Sequence, residues 1–170
     1  MTDSGSPTIA ELEEQQRHLQ FDRFDNLDAW RLGCTLVELA TTRTQAVTID
    51  IRRHGQQLFH AALPGTTPEN DAWIERKIRV VNRFAASSLL VGLRLAESGR
   101  KLDQELGIDP ALYAAHGGCV PVTIRDVGVV GTVTVSGLPQ VQDHALVVEG
   151  MEGLMRDHAT RDTPTGASAP

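Results

Sequence analysis

Apolar and polar positions alternate in two parts of the chain and recur at helical spacing in most of the rest. The stretch Ala46-Val47-Thr48-Ile49-Asp50-Ile51 alternates as a half-buried strand does. His54-Gly55 supplies a tight turn, and Gln57-Leu58-Phe59-His60-Ala61 returns as the partner strand. A second hairpin is expected from residues 120–125 and 129–135 around Asp126-Val127-Gly128, broken by Ser136-Gly137-Leu138-Pro139. Helical patterns cover residues 9–19 and a run from Asn26 or Asp28 to Thr42, with Trp30, Cys34, Val37 and Ala40 at helical spacing. Thr67-Pro68 starts a helix that runs to about residue 85, because threonine caps exposed amides and proline suits the first helical position. Further helices are expected over 87–97, closing at Gly99, and briefly over 102–106, ending at Gly107; Asp109-Pro110 then turns through Tyr113. A last helix over 141–156 places Val141, Ala145, Val148 and Met155 on one face.

Helices, hairpin, helices, hairpin, helix is the order of an α/β (α+β) domain whose mostly antiparallel sheet is covered by helices. One domain over 8–159 is expected, with polar, Ser/Thr/Gly/Pro/Ala-rich tails at 1–7 and 160–170 expected to be disordered. Charge narrows the partners. The 16 basic and 22 acidic residues leave a net charge of -6, which argues against a nucleic-acid binder, and seven aromatic residues (four Phe, two Trp, one Tyr) are too few for a base-stacking platform. No stretch reaches the roughly 20 apolar residues of a membrane span, and the start lacks the basic and apolar regions of a signal peptide, so a cytoplasmic protein is expected. Cys34 and Cys119 have no metal-ligand spacing and read as free thiols. Phosphate-loop, dinucleotide, Cys-x-x-Cys and His-Glu-x-x-His patterns are absent from the sequence.

Candidate chemistry collects in three places. In the helix starting at Pro68, Ile74, Ile78, Val81 and Ala85 form an apolar stripe with Trp73, Val80 and Phe84 beside it. Arg76, Arg79 and Arg83 fall opposite as a solvated face, with Glu75 placed to pair with Arg79. Asn70 and Lys77 instead project into the apolar arc. Two readings are open: Lys77 snorkels over Trp73 while Asn70 helps cap the helix, or both line a pocket as amide and cation for an anionic ligand. A buried lysine is also a candidate nucleophile or base. The second place is His116-Gly117-Gly118, where glycines before a strand permit close backbone approach and a histidine is able to bind metal or move protons. A turn with a histidine bonded to a carbonyl explains it equally. The third is Asp143-His144. Asp143 suits the positive end of the last helix, and the two neighbours point about 100° apart, so they form no dyad.

Phe59-His60-Ala61-Ala62-Leu63-Pro64-Gly65-Thr66, Asn70-Asp71-Ala72-Trp73-Ile74-Glu75-Arg76-Lys77 and Ser87-Ser88 occur in order along the chain. They are followed by His116-Gly117-Gly118-Cys119-Val120-Pro121-Val122, Gly131-Thr132-Val133-Thr134-Val135-Ser136-Gly137-Leu138 and Asp143-His144. Together this set resembles the haem-degrading-domain superfamily of HbpS-type and GlcG-like proteins, over about residues 20–158. It is most similar to the cytosolic branch found in bacteria and fungi. The resemblance implies a profilin-like three-layer α/β/α sandwich and dimers that assemble further; it implies no reaction.

The leading expectation is a small-molecule-binding homo-oligomer whose pocket uses Asn70, Trp73, Lys77 and His116, with Gly117 and Gly118 allowing close approach. Haem or another anionic ligand is the concrete candidate, with propionates on Lys77 and iron on His116. The alternative is a structural or adaptor protein in which Asn70, Lys77 and His116 contact a neighbouring subunit. A hydrolase or lyase using Lys77 or His116 is a third reading.

Overall fold

The computed structural model describes residues 6–102 and 107–162; most of the short helix expected over 102–106 lies outside them. The elements are α1 (Ile9–His18), β1 (Gln20–Phe21), α2 (Asn26–Thr42), β2 (Thr48–Arg53), β3 (Gln56–Ala62), α3 (Pro68–Phe84), α4 (Ser88–Glu97), β4 (Cys119–Ile124), β5 (Gly128–Ser136) and α5 (Gln140–Asp162). Both expected hairpins form. His54 and Gly55 both take positive φ, the backbone twist that a two-residue hairpin loop requires, and the three-residue loop of the second hairpin has positive φ at Asp126 and, where the strand resumes, at Gly128. Strand order is β1-β4-β5-β2-β3, with three antiparallel pairings. The two-residue β1, which no sequence pattern announced, adds a parallel edge beside β4.

Both faces of the sheet are buried, and their chemistry differs. Ile49, Ile51, Val133, Val135, Val120 and Val122 point to one face, into a core with Leu32 and Leu36 of α2 and Val147 and Met151 of α5. On the other face, Asp50 lies opposite Thr134, Thr134 opposite Cys119, and Thr48 opposite Ser136. Thr48 and Asp50 are as fully buried as Ile49, so β2 is not the half-exposed strand its alternation suggests. Here α3 covers the polar side: Ile74, Ile78 and Val81 pack with Cys119. Some polar groups beneath it find partners in the protein, as burial favours, whereas the hydroxyls of Thr48 and Thr132 are buried with no hydrogen-bond partner among the described residues. Asp50 accepts from Arg52 Nε at 2.9 Å and from Gln57 Nε2 at 2.6 Å, and Arg52 reaches on to Glu75. Glu75 therefore pairs across to the sheet and not with Arg79, whose Nη1 donates to the Leu112 carbonyl.

Two buried faces differ from the sequence pattern. In α2 the buried positions are Asp28, Ala29, Leu32, Gly33, Leu36 and Ala40, whereas Trp30 and Cys34 are exposed. Gly33 decides the rotation: a Cβ there would lie 2.3 Å from the Phe59 ring, so only a glycine lets α2 sit this close to β3. In α5, Asp143, Val147, Met151, Leu154 and His158 face inward, Ala145 faces solvent, and the helix continues past Arg156 to Asp162.

Candidate functional site

Four segments that are far apart in the sequence meet at one end of α3. Asn70, Trp73 and Lys77 line a cleft of about 250 Å³ together with His116, Gly117, Gly137, Leu138, Gln140 and Asp143. Local geometry places each of them. Thr67 N–H donates to Asn70 Oδ1 at 2.9 Å, which fixes the first turn of α3, and Asn70 Nδ2 reaches across to the Ser136 carbonyl at 3.2 Å. Asn70 is thus both a cap and a strut to the end of β5. Ser88, at the start of α4, bonds both backbone groups of Cys119 through its hydroxyl and so pins the strand that follows Gly118.

Lys77 does not snorkel. It is 3% exposed, and its ammonium donates to Asp143 Oδ2 and to the Val135 carbonyl, each at 3.0 Å. Asp143 also accepts from Leu138 N–H at 2.9 Å. Burial pushes the Asp143 carboxyl above the ordinary carboxylate range, against the pull of Lys77 and the amides of Leu138 and Gly137. An ammonium held this way has no free lone pair to act as a nucleophile, and its donors are largely spent before any ligand arrives. Nor is a side chain already covered within one subunit available to a neighbouring subunit. Gly118 makes the arrangement possible: it has φ +119°, and a Cβ there would lie 2.6 Å from Nζ and 2.4 Å from the Val135 oxygen.

His116 stands at the mouth, exposed and without a hydrogen-bond partner among the described residues. Its ring meets Trp73 edge-on, with centroids 5.3 Å apart. Partial burial pushes the imidazole below its ordinary pKa, helped by the charges of Lys77 and Arg76, so it is neutral at neutral pH with a ring nitrogen able to accept a proton or a metal. Gly117 lies under Gln140: its N–H donates to Gln140 Oε1 at 3.2 Å, and a Cβ would meet the Gln140 carbonyl oxygen at 2.2 Å.

Three neighbours of the site were not expected from the sequence. Asp143 reads there as a helix-end carboxylate, although a lysine inside an apolar arc signals a missing counter-charge. Gln140 carries no pattern. Arg76 reads as part of a solvated face, yet its guanidinium carbon lies 4.6 Å from the centre of the Trp73 ring. His144, beside Asp143, points elsewhere, to Gln15 of α1 at 2.7 Å. Cys119 lies below the site as a buried free thiol pushed up to about 12 by burial, and so is no nucleophile.

Comparison with known proteins agrees with this architecture. The chain is 62% identical over 147 residues to the UPF0303 protein SCO2848 of Streptomyces coelicolor, which spans 86% of this chain and 93% of that one. Among solved structures, Ybr137w superposes with a TM-score of 0.84 at 27% identity, covering 92% of both chains. A structure of PduOC solved as a haem complex superposes with a TM-score of 0.64 at 17% identity, covering 76% of this chain and 93% of the other. The family model described as haem degrading protein HbpS-like matches residues 24–152, three-quarters of the chain including every segment that builds the cleft, and the chain belongs to that family.

Proposed function

We propose that this protein binds a small ligand in the cleft between α3 and the start of α5, with His116 as the group that meets it. The convergence of Asn70, Trp73, His116 and Gly117 on one space carries this reading. Haem comes into question through the family's name and through the haem complex of PduOC. The residues here fit it in one respect. His116 is exposed and has no hydrogen-bond partner among the described residues, so its ring would be available to hold the iron. In another respect they do not. Ligand pockets that enclose drug-sized molecules run to about 300–1,000 Å³, and a porphyrin does not fit inside 250 Å³. Lys77, spent on Asp143, has no role left for a propionate. One chain therefore fits haem only as a group ligated by His116 at the mouth of the cleft. Bound iron would supply redox chemistry there; the chain contributes a neutral imidazole held against Trp73.

An absorbance titration with hemin, run on wild type and His116→Ala, tests this. The expected result is a Soret shift that saturates at fixed stoichiometry and weakens at least about tenfold in the variant, as losing a metal-site group does. Identical, unsaturating spectra for both proteins remove haem and leave the cleft to smaller ligands.

A second reading, a structural or adaptor protein working through an assembled surface, draws on a different observation. Leu27 and Trp30 of α2 are 62% and 59% exposed, and Trp30 stacks edge-on to Phe59 of the free edge strand β3. Exposed tryptophan in an apolar patch is the residue type that anchors interfaces. If this patch joins subunits into dimers, Trp30→Glu lowers the mass measured by light scattering to that of a smaller species. An unchanged mass places the contacts between subunits elsewhere.

A further inference from the structure

We propose that the ligand of this cleft is a small monocarboxylate, and that Arg76, seated on Trp73 beside His116, is the residue that receives its charged end. The inference rests on the ligand-binding reading above and names the chemistry of that ligand.

Several other arginines have carboxylate partners among the described residues. Arg43 pairs with Glu149, Arg52 with Asp50 and Glu75, Arg94 with Glu13 and Arg125 with Asp22. The Arg76 guanidinium has no hydrogen-bond acceptor among the described residues, and its Nε is shielded from water with its donor unmet. Leaving a buried donor unpaired is costly, so the side chain is not an ordinary solvated arginine. It is also held in place. The guanidinium lies 4.6 Å over the Trp73 ring, and its backbone carbonyl accepts from Ala114 N–H at 3.1 Å, which ties this turn of α3 to the segment leading into His116. Stacking occupies a face of the guanidinium and leaves the edges of its donor fork, the geometry that a planar carboxylate matches.

Charge counting favours one negative charge. From α3, Lys77 contributes a positive charge that Asp143 of α5 cancels at 3.0 Å. Arg76, which has no carboxylate partner among the described residues, is then left as a positive charge beside the cleft. A monoanion leaves the site neutral, whereas a dianion leaves a charge unmatched in a half-buried space. The volume of about 250 Å³ limits the remainder of the ligand to a small body, which would lie against Trp73 and Leu138.

Matched probes test this on the full-length protein. Sodium benzoate and sodium acetate are titrated against benzamide and inorganic phosphate, with the His116 ring resonances followed by NMR across pH. The expected result is saturable perturbation of His116 and Trp73 by the carboxylates, with benzamide on the order of tenfold weaker or more, the value of a hydrogen bond to a charged group. Arg76→Gln removes this preference. Equal binding of benzoate and benzamide, tighter binding of phosphate, or an unchanged benzoate affinity in Arg76→Gln overturns the assignment of charge while leaving the cleft a ligand site. No perturbation of any cleft residue by any probe overturns both. The benzoate–benzamide comparison is made on wild type, so it decides the matter even if the variant folds poorly.

Discussion

Lys77→Met is expected to lower the unfolding free energy by about 3–5 kcal/mol, the loss seen when one partner of a buried ion pair is removed. The reason lies in what remains. Asp143 is 2% exposed, and without the ammonium its carboxylate keeps only the amide donors of Leu138 and Gly137. A buried charge is costly unless paired. The same argument predicts rescue. Lys77→Met combined with Asp143→Asn removes both charges and keeps a side-chain oxygen for the Leu138 amide. Its stability should recover more than half of the single-variant loss. Urea unfolding of wild type, both single variants and the double variant at pH 7 gives the coupling directly. Additive losses would show that the two groups do not interact in the folded protein. A Lys77→Met loss below about 1 kcal/mol, the range of surface pairs, would mean that the lysine is solvated after all.

The turns and hairpins were legible in the sequence because each rests on chemistry confined to a few residues. His54, Gly55, Asp126 and Gly128 take positive φ at the two turns, and Pro68 opens a helix whose first turn Asn70 caps, three residues from Thr67. The convergence of Asn70, Trp73, Lys77 and His116 was legible in part. Asn70 and Lys77 break the apolar stripe of α3, and a polar residue in that position needs a partner or a purpose. What pattern could not supply was the identity of the partner. Asp143 has a sufficient local reason to sit at a helix start, so nothing near it in the chain points to Lys77, 66 residues away. Arg76 was hidden by its type, since an arginine opposite an apolar stripe usually faces water.

The faces of α2 and α5 were misread for a different reason. α2 carries Leu27, Trp30, Leu32, Leu36, Val37 and Leu39 around much of its circumference, so periodicity supports more than one rotation. Gly33 against Phe59 selects one of them, and Gly150 brings α5 close to Leu36, where a Cβ would lie 2.7 Å from that side chain. Glycine has almost no hydrophobic signal, yet here it sets how two helices approach their neighbours. On α5 the buried face includes Asp143, His144 and His158, which dilutes the apolar pattern further. His158 is buried because Asp28 of α2 receives it at 2.9 Å. Strand β2 shows the same limit: alternation correctly separates its two faces, but only the placement of α3 makes the polar one an interior.

His144 gives the chain an acid-sensitive contact, and its effect on stability should be nearly as large as that of Lys77. The ring is 4% exposed; Nε2 faces Gln15 Oε1 at 2.7 Å, and Nδ1 is buried with no partner. Nε2 must carry the proton that Gln15 accepts, so a second proton would go to Nδ1, where no acceptor waits. Burial accordingly pushes the group from an ordinary 6.5 down to about 4. Because the folded pKa is depressed, the unfolded chain binds the extra proton first as pH falls. The contribution of His144 is fully present above about pH 6.5 and is lost as pH drops through the window to about 4, at roughly 1.4 kcal/mol per pH unit and about 3 kcal/mol in all. Other carboxylates titrate over part of that range, so the informative quantity is a difference. His144→Gln keeps an amide donor for Gln15 but does not titrate. Wild type minus variant, measured by urea unfolding from pH 7.5 to 4, should fall along that slope. A difference that stays constant with pH would mean the ring is solvated in the folded state. The slope has a structural meaning as well. Gln15 is next to Gln16, which donates to the Ala85 carbonyl at 2.9 Å and accepts from Ser87 N–H at 3.2 Å, holding the junction of α3 and α4. Protonating His144 therefore buries an uncompensated charge where α5 meets α1, the helix whose Gln16 braces the junction leading from α3 to Ser88 and, through it, the strand that follows Gly118.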